Sequence, residues 1–174
     1  TEQGWCNGCV GMEGSSYAGS TQLYAAKANH PALKCIMPTA FGGSPTTGFP
    51  FTNGVPVRAM FLQWLLVADT ESMADLEFIY GDMQIAANDK WGSAFRRRPL
   101  INAADGILSG DKLKSWKSVI SHPMDGDYWQ DVSFKDSDLE ALDIPIFITA
   151  GWLDPTVGPL DYFQRMELIN SRNK

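Results

Sequence analysis

The chain has few basic residues, few cysteines and only two histidines. Its 174 residues include 14 Lys and Arg against 20 Asp and Glu, which gives a net charge of −6. Nucleic acids and anionic membranes attract clustered basic residues. The one basic run, Arg96-Arg97-Arg98, is typical of a solvated surface. The composition therefore disfavours both nucleic-acid and membrane partners.

Long apolar segments and a cysteine framework are also missing. The most apolar stretch, residues 59–68, has about half of the roughly twenty residues that a membrane-spanning helix needs. Three cysteines, Cys6, Cys9 and Cys35, are too few for a disulfide scaffold. Cys6 and Cys9 have the C-x-x-C spacing of redox and zinc sites, but they precede a predicted strand and lack nearby zinc ligands. We therefore favour ordinary turn and strand cysteines, expect no metal and no cofactor, and leave the localisation open.

The pattern that is present predicts an α/β protein. Three short apolar runs, residues 9–13, 33–37 and 144–150, predict strands, and continuous apolar runs of this kind are typical of parallel strands buried on both faces. Helical patterns follow the first and the last of them, at residues 20–29 and 159–170. Alternation of strand and helix indicates a parallel sheet with flanking helices.

A long segment of different character separates the second and third predicted strands. It opens with a stretch rich in Gly, Pro and Thr and continues with helical patterns at residues 57–69, 72–90 and 111–120. Such a segment leaves the carboxyl ends of the strands, where open α/β sheets bind ligands. We therefore predict a core at residues 1–40 and 139–174, and a mainly helical cap inserted at residues 41–138.

The stretch G-S-S-Y-A-G, residues 14–19, lies where a strand ends and a helix begins. A nucleophile elbow of the G-x-S-x-G type requires this context, and Ser16 is the serine with the required spacing. The N–H of Tyr17, at the start of the helix, would then face an oxyanion. A P-loop is excluded because no G-K-[ST] follows, and the dinucleotide fingerprint is absent. An ordinary glycine-rich turn remains the alternative at this point.

The second candidate residue is Asp154, in G-W-L-D-P directly after the last predicted strand. A carboxylate at the end of a later parallel strand is where the acid of an α/β-hydrolase triad belongs, and the order Ser before Asp agrees with it. Because Asp before Pro also opens turns, a structural role is equally compatible with Asp154 alone. The pairing of Ser16 and Asp154 at two strand ends favours the catalytic interpretation.

Several motifs together resemble the cocaine esterase and X-prolyl dipeptidyl peptidase family of α/β-hydrolases. The resemblance covers nearly the whole chain and follows the order of the family's motifs. It is carried by residues 5–22 (W-C-N-G-x-V-G-M-x-G-x-S-Y-x-G-x-T-Q), Ala25-Ala26, P-A-L-K at residues 31–34, Pro38, H-P-M-D-G-D-Y-W at residues 122–129, and I-P-I-F-I-T-A-G-W-L-D at residues 144–154.

The resemblance implies a serine hydrolase that cleaves small esters or amides through an acyl-enzyme, most simply a carboxylesterase. It makes Ser16 the nucleophile, Asp154 the acid and the Tyr17 N–H an oxyanion donor, and it gives Trp64 and Thr156 positions in the substrate pocket. For Trp64, simple packing within the insertion is an equal alternative. An X-prolyl peptidase or acylase is the alternative within the family, and an inactive interaction domain is the alternative outside enzymes.

Three departures from the family pattern bear on specificity and activity. Members that hydrolyse α-amino acid esters carry acidic residues after the aspartate, whereas Pro155-Thr156-Val157-Gly158 follows here, and the aromatic residue of the cocaine-esterase type is Thr156. The family's histidine follows the aspartate, but His30 and His122 both precede Asp154. We expect His30 to cap a helix end, and we expect the base beyond Lys174 and the second oxyanion donor before Thr1, in the remainder of the hydrolase chain.

Overall fold

Two parallel strands joined by a helix open the fold in the computed structural model, which describes residues 2–68, 92 and 94–172. Strand β1 spans Val10–Ser15, helix α1 spans Tyr17–Lys27 and strand β2 spans Leu33–Thr39. The two strands are parallel, with Ser15 opposite Thr39 at their carboxyl ends. The predicted strand, helix and strand are confirmed, but α1 begins earlier than expected, directly after Ser16.

Residues 144–150 run parallel to β2 without forming the regular strand that the sequence predicts. Isolated bridges join Ile36 to Ile146 and Thr39 to Thr149. Between these bridges lies Pro38, which has no N–H to donate to the neighbouring segment. Beyond it, the Thr149 N–H donates to the Pro38 carbonyl at 3.3 Å. The prediction of a continuous strand at residues 144–150 is therefore wrong, because the neighbouring Pro38 cannot donate the hydrogen bond that would connect the two bridges.

The core lies on one face of these strands. Side chains of β2 and of residues 144–150 pack there against α1 and the C-terminal helix, whereas Phe147 points away and is 67% exposed. Within the described residues, the expected burial of the strands on both faces is therefore wrong, and the apolar residues alternate between core and surface. The buried cluster consists of Leu23, Ala26, Leu33, Ile36, Phe41, Phe134, Leu139, Tyr162 and Ile169.

Two further helices complete this part of the chain. Helix α4 spans Asp136–Glu140 and helix α5, which confirms the pattern at residues 159–170, spans Gly158–Arg172. Arg165 on α5 donates to the Phe134 carbonyl at 2.7 Å and to the Asp136 carboxylate at 2.9 Å, which fixes α5 against the start of α4. These helices belong to a unit made of residues Thr1–Asn53 and Trp129–Lys174.

Residues Gly54–Tyr128 form a second unit. It contains α2 at Arg58–Val67, α3 at Gly110–Ile120 and a short 3-10 helix at Leu100–Asn102. Its core includes Trp116, which stacks on Phe61 at 5.7 Å between ring centroids. The helices predicted at residues 57–69 and 111–120 are thus confirmed, and the one predicted at 72–90 lies outside the described residues. The predicted cap boundaries stay a prediction.

Short elements lie near the two points of the chain where one unit ends and the other begins. They are β3 at Phe51–Thr52, β4 at Val55–Pro56 and a 3-10 helix at Asp127–Trp129.

The prediction that the basic run at residues 96–98 is solvated is wrong for Arg97. Its guanidinium is half-buried and donates to the backbone carbonyls of Asn102 and Asp105. Within the part of the chain that the structure describes, no helix combines the length and apolarity required to cross a bilayer.

Candidate active site

Ser16 occupies a strained turn between β1 and α1. Its backbone has φ 59° and ψ −124°, a region that side-chain-bearing residues rarely adopt and that costs about 1–3 kcal/mol. Its N–H donates to the Thr39 carbonyl at 3.0 Å, and its own carbonyl accepts from Gly19 and Ser20 at 3.0 and 3.1 Å. The chain therefore turns sharply at Ser16, whose side chain lies at the surface at the carboxyl end of the strand.

The first N–H groups of α1 are available beside this serine. A helix leaves its first four N–H groups without a partner inside the helix. Gly19 and Ser20 donate back to Ser16, whereas Tyr17 and Ala18 have no acceptor among the described residues. These two N–H groups lie at the positive end of the helix dipole, and donors in this position can bond to an anionic oxygen.

Small residues permit the close passage of α1 over the sheet. A Cβ on Gly14 would lie 2.9 Å from the Ala18 Cβ, and one on Gly19 would lie 2.9 Å from the Thr39 carbonyl oxygen. Real Cβ atoms essentially never approach other atoms so closely. Packing therefore requires glycine at both positions, and Gly14 is also the first glycine of the motif.

The side chain of Gln22 in α1 forms hydrogen bonds with three backbone segments around Ser16. Its side chain is fully buried (0% exposed). The Nε2 amino group donates to the carbonyls of Gly14 and Ala18 at 3.1 and 3.0 Å, and Oε1 accepts from the Met37 N–H at 2.9 Å. The sequence interpretation gave Gln22 no role of its own, although a polar residue on the face shared by Gly19, Leu23 and Ala26 is the signal that marks it.

Asp154 lies in a tight turn whose bonds orient its carboxylate. The Asp154 N–H donates to the Gly151 carbonyl at 3.1 Å. Oδ1 accepts two hydrogen bonds from Thr156, one from the backbone N–H at 2.7 Å and one from the hydroxyl at 2.5 Å. Among the described residues no donor bonds to Oδ2, so this oxygen can accept from a further group.

The carboxylate lies beside a cavity of about 270 Å³. The lining is mostly apolar, and the neighbouring Trp152 and Leu153 side chains are almost entirely exposed. Thr156 also lines this cavity, but its side chain is only 9% exposed and its hydroxyl donates to Asp154. The lining residues are Ile148, Ala150, Gly151, Trp152, Asp154, Thr156, Val157, Pro159, Leu160 and Phe163.

Strand register brings Ser16 and Asp154 to the same edge of the sheet. Ser15 is opposite Thr39, and Thr39 is bridged in parallel to Thr149. With about 4.8 Å between neighbouring strands, Ser15 and Thr149 are separated by roughly 10 Å. Ser16 follows Ser15 directly and Asp154 follows Thr149 by five residues, so both come after the carboxyl edge of the sheet, where α/β sheets hold their ligands.

The remaining candidate residues belong to other elements of the chain. Trp64 lies on α2 in the second unit, is 38% exposed and stacks on Phe61 at 6.2 Å, so its role in a pocket stays a prediction. His30 does not cap the last turn of α1 as expected. Its Nδ1 accepts from the Ala32 N–H at 3.1 Å and so shapes the turn that enters β2, at the opposite edge of the sheet from Ser16.

His122 is held within the second unit. Its Nδ1 lies 2.7 Å from the Ser118 carbonyl oxygen, and its ring stacks on Tyr128 at 3.9 Å between centroids. These contacts fix the imidazole against the end of α3. The contacts described for His30 thus lie in the turn before β2, and those described for His122 lie within the second unit.

Titratable groups with a shifted pKa lie in the core and at α4. Burial raises the pKa of Tyr162, and burial together with the nearby Tyr17 raises the pKa of Tyr24. The hydrogen bond from the Lys135 N–H, with the charge of Lys27 beside it, lowers the pKa of Asp138.

Across the described ranges no group of three or more His, Cys, Asp or Glu residues is arranged to hold a metal. Cys6, Cys9 and Cys35 are free thiols.

Comparison with known proteins gives this arrangement a family. The profile of the family described as X-Pro dipeptidyl-peptidase (S15 family) matches residues 1–168. Cocaine esterase of Rhodococcus sp. (strain MB1 Bresler) is 34% identical over 168 residues, which cover 90% of this chain and 28% of that protein. The chain thus spans little more than a quarter of the length of this curated relative.

Solved structures agree on the fold. An aminopeptidase from the marine sediment archaeon Thaumarchaeota archaeon matches with a TM-score of 0.67 at 21% identity, over 97% of this chain and 27% of that one. An α-amino acid ester hydrolase matches with a TM-score of 0.59 at 21% identity, again over 97% of this chain and 27% of the other. The parallel strands and flanking helices are therefore those of an α/β-hydrolase fold.

The family match extends over nearly the whole chain, and it includes both the turn that carries Ser16 and the segment that carries Asp154. The chain belongs to the X-Pro dipeptidyl-peptidase (S15) family of α/β-hydrolases.

Proposed function

We propose that this chain supplies the nucleophile and the acid of a serine hydrolase that cleaves small ester or amide bonds. One observation carries the proposal: Ser16 stands on a strained strand-to-helix turn, with the N–H groups of Tyr17 and Ala18 beside it, at the same sheet edge as Asp154. This combination of an exposed hydroxyl, helix N–H donors and a carboxylate is what acyl transfer requires.

Each group then has a defined part in the reaction. Ser16 Oγ attacks the substrate carbonyl carbon, its proton passes to a histidine base, and the carbonyl oxygen becomes an oxyanion held by the Tyr17 N–H. The same histidine protonates the leaving group, and water later releases the acyl group from Ser16 by the reverse sequence. Asp154 Oδ2 accepts from the histidine and holds it in the reactive orientation.

The base is expected from residues beyond Lys174. The ring of His30 is engaged at the opposite end of β2, and that of His122 is engaged with Ser118 and Tyr128. The 174-residue chain by itself is therefore expected to show essentially no ester turnover. Robust hydrolysis of a p-nitrophenyl ester by this chain would mean that the base has been misassigned.

Covalent labelling with a fluorophosphonate tests the assignment. The full-length protein is treated with the reagent, and the adduct is located by mass spectrometry of peptides. We expect modification at Ser16 that disappears in Ser16→Ala, while the matched control Ser15→Ala keeps it. Absence of labelling in a folded full-length protein would instead favour an interaction domain without catalytic activity.

A peptidase or acylase is the second candidate, because the matching family is described as X-Pro dipeptidyl-peptidase. The two activities differ in the bond that is cleaved and not in the nucleophile. Comparing a p-nitrophenyl ester with an X-Pro p-nitroanilide separates them. We expect kcat/KM to be higher for the ester, and a preference for the X-Pro anilide would assign the peptidase.

A further inference from the structure

We propose that Gln22 is a positioning residue for the nucleophile, acting as an internal brace of the turn that carries Ser16. The inference rests on the proposed function, since it concerns how Ser16 and the oxyanion donors are held. Gln22 contacts neither substrate nor Ser16 Oγ by any bond described. It acts through the backbone on both sides of the serine.

The Gln22 side-chain amide bonds to the backbone both before and after Ser16. Both hydrogens of Nε2 are used, one on the carbonyl of Gly14, two residues before Ser16, and one on that of Ala18, two residues after it. Oε1 accepts the N–H of Met37 in β2. One planar amide thus links the end of β1, the first turn of α1 and the neighbouring strand.

The chemistry of these partners requires an amide. Two carbonyl oxygens face Nε2 and one N–H faces Oε1, so the orientation of the amide is fixed by its partners. A methionine of similar length offers no donor, and a glutamate offers a carboxylate where two donors are needed. A fully buried polar side chain with its donors satisfied in this way is a rigid connection, and its loss removes one hydrogen bond from each of the two carbonyls and the acceptor of the Met37 N–H.

Rigidity matters at this place because the turn is strained. Ser16 has a positive φ, and a backbone in such a region persists where surrounding contacts over-determine it. The Ser16 hydroxyl and the N–H groups of Tyr17 and Ala18 all take their positions from this one turn. Without the brace, we expect the turn to relax and the three groups to lose their common alignment, and a displacement near 1 Å can cost about a hundredfold in rate.

The test compares the rate at which Ser16 reacts in variants that are shown to be folded. In the full-length protein, the second-order rate of fluorophosphonate labelling at Ser16 is compared for wild type, Gln22→Met and the matched control Thr21→Val. Thr21 also donates to the Ala18 carbonyl, at 3.1 Å, but from the outer side of α1. Circular dichroism and thermal unfolding establish that each variant is folded at the labelling temperature.

We expect Gln22→Met to label at least about tenfold more slowly than wild type and Thr21→Val to label within about twofold of it. A folded Gln22→Met protein that labels at the wild-type rate overturns the inference and leaves the proposed function intact. If wild type itself does not label at Ser16, both are overturned.

If Gln22→Met does not fold, Gln22→Glu provides a second test of the same inference. A glutamate carboxylate accepts from Met37 but repels the Gly14 and Ala18 carbonyls, whereas its protonated form donates one hydrogen bond. We therefore expect the labelling rate of Gln22→Glu, divided by that of wild type, to rise as the pH is lowered. A ratio that stays near one at all pH values contradicts the brace.

Discussion

Replacing Thr156 with valine tests how Asp154 is held. The Thr156 hydroxyl donates to Asp154 Oδ1 at 2.5 Å, and the backbone N–H of the same residue donates at 2.7 Å. Valine has nearly the shape of threonine, so Thr156→Val removes the first bond and keeps the second. Because the side chain is almost buried, water cannot easily replace the lost donor.

The magnitude follows from the charge on the acceptor. A hydrogen bond to an ionised group contributes about 1.5–3 kcal/mol, compared with about 1 kcal/mol between neutral groups. If this orientation energy is lost when the histidine becomes charged, the barrier rises by up to the same amount, which corresponds to roughly a 10- to 100-fold lower kcat/KM. The backbone N–H still holds the carboxylate, so the loss stays well below that of removing the acid.

The assay is ester hydrolysis by the full-length protein, with Thr156→Ser as the matched control. Serine keeps the hydroxyl and loses a methyl group, so we expect its kcat/KM within about threefold of wild type. Thermal unfolding of each variant separates a change in reactivity from a change in folding. A Thr156→Val protein that is folded and as active as wild type would refute the reasoning that the hydroxyl orients Asp154.

Other expectations concern the base, the start of α5 and the stability at low pH. His30→Ala and His122→Ala should both keep Ser16 labelling in the full-length protein, and loss of labelling in either would identify a base that we have excluded. Gly158→Ala should lower stability by about 1–3 kcal/mol in urea unfolding, because its Cβ would lie 2.3 Å from the Gly43 nitrogen, whereas Gly126→Ala, with open space, should change it by less than about 0.5 kcal/mol. Asp138→Ala should cost about 1 kcal/mol near neutral pH, since its carboxylate accepts from the Lys135 N–H at 2.9 Å and pairs with Lys27 at 3.1 Å. The pKa of Asp138 is lowered in the fold, so its contribution is present above the unfolded pKa near 4 and is lost as the pH falls through the folded pKa. Urea unfolding at both ends of this range checks it, and an equal difference between Asp138→Ala and wild type at both would contradict the assignment.

Local sequence was sufficient to predict the turn at Ser16. Its small neighbours, the apolar run before it and the helix formers after it all lie within about twenty residues, so each constraint is visible in the pattern. The family resemblance likewise pointed to Asp154 without knowledge of its contacts. The start of α1 was misplaced because Tyr17 and Gly19 are weak helix formers, and the first turn depends on the bonds that the Ser16 carbonyl makes with Gly19 and Ser20.

Features that depend on pairing between distant segments were not predictable. The apolar run at residues 144–150 predicted a regular strand, but the break comes from Pro38, more than a hundred residues earlier in the chain. The orienting role of Thr156 depends on a turn of three residues whose geometry is not encoded in their polarity. Gln22 was visible as a polar residue on an apolar helix face, but its partners lie on two strands and become adjacent only in the fold.

Pro38 also affects how the segment before Asp154 is bonded to the strand beside Ser16. The ladder between β2 and residues 144–150 lacks a donor at this proline, one residue before the carboxyl ends of the strands. At that edge, Ser16 N–H donates to the Thr39 carbonyl at 3.0 Å, and the Ala40 N–H donates to the Thr149 carbonyl at 3.1 Å. The connection between Ser16 and Thr149, five residues before Asp154, therefore runs through the backbone at Thr39 and Ala40, with one bond fewer in the ladder behind it. A strand edge with fewer bonds gives side-chain contacts greater weight, which is consistent with a buried amide on the serine side and a threonine hydroxyl on the aspartate side.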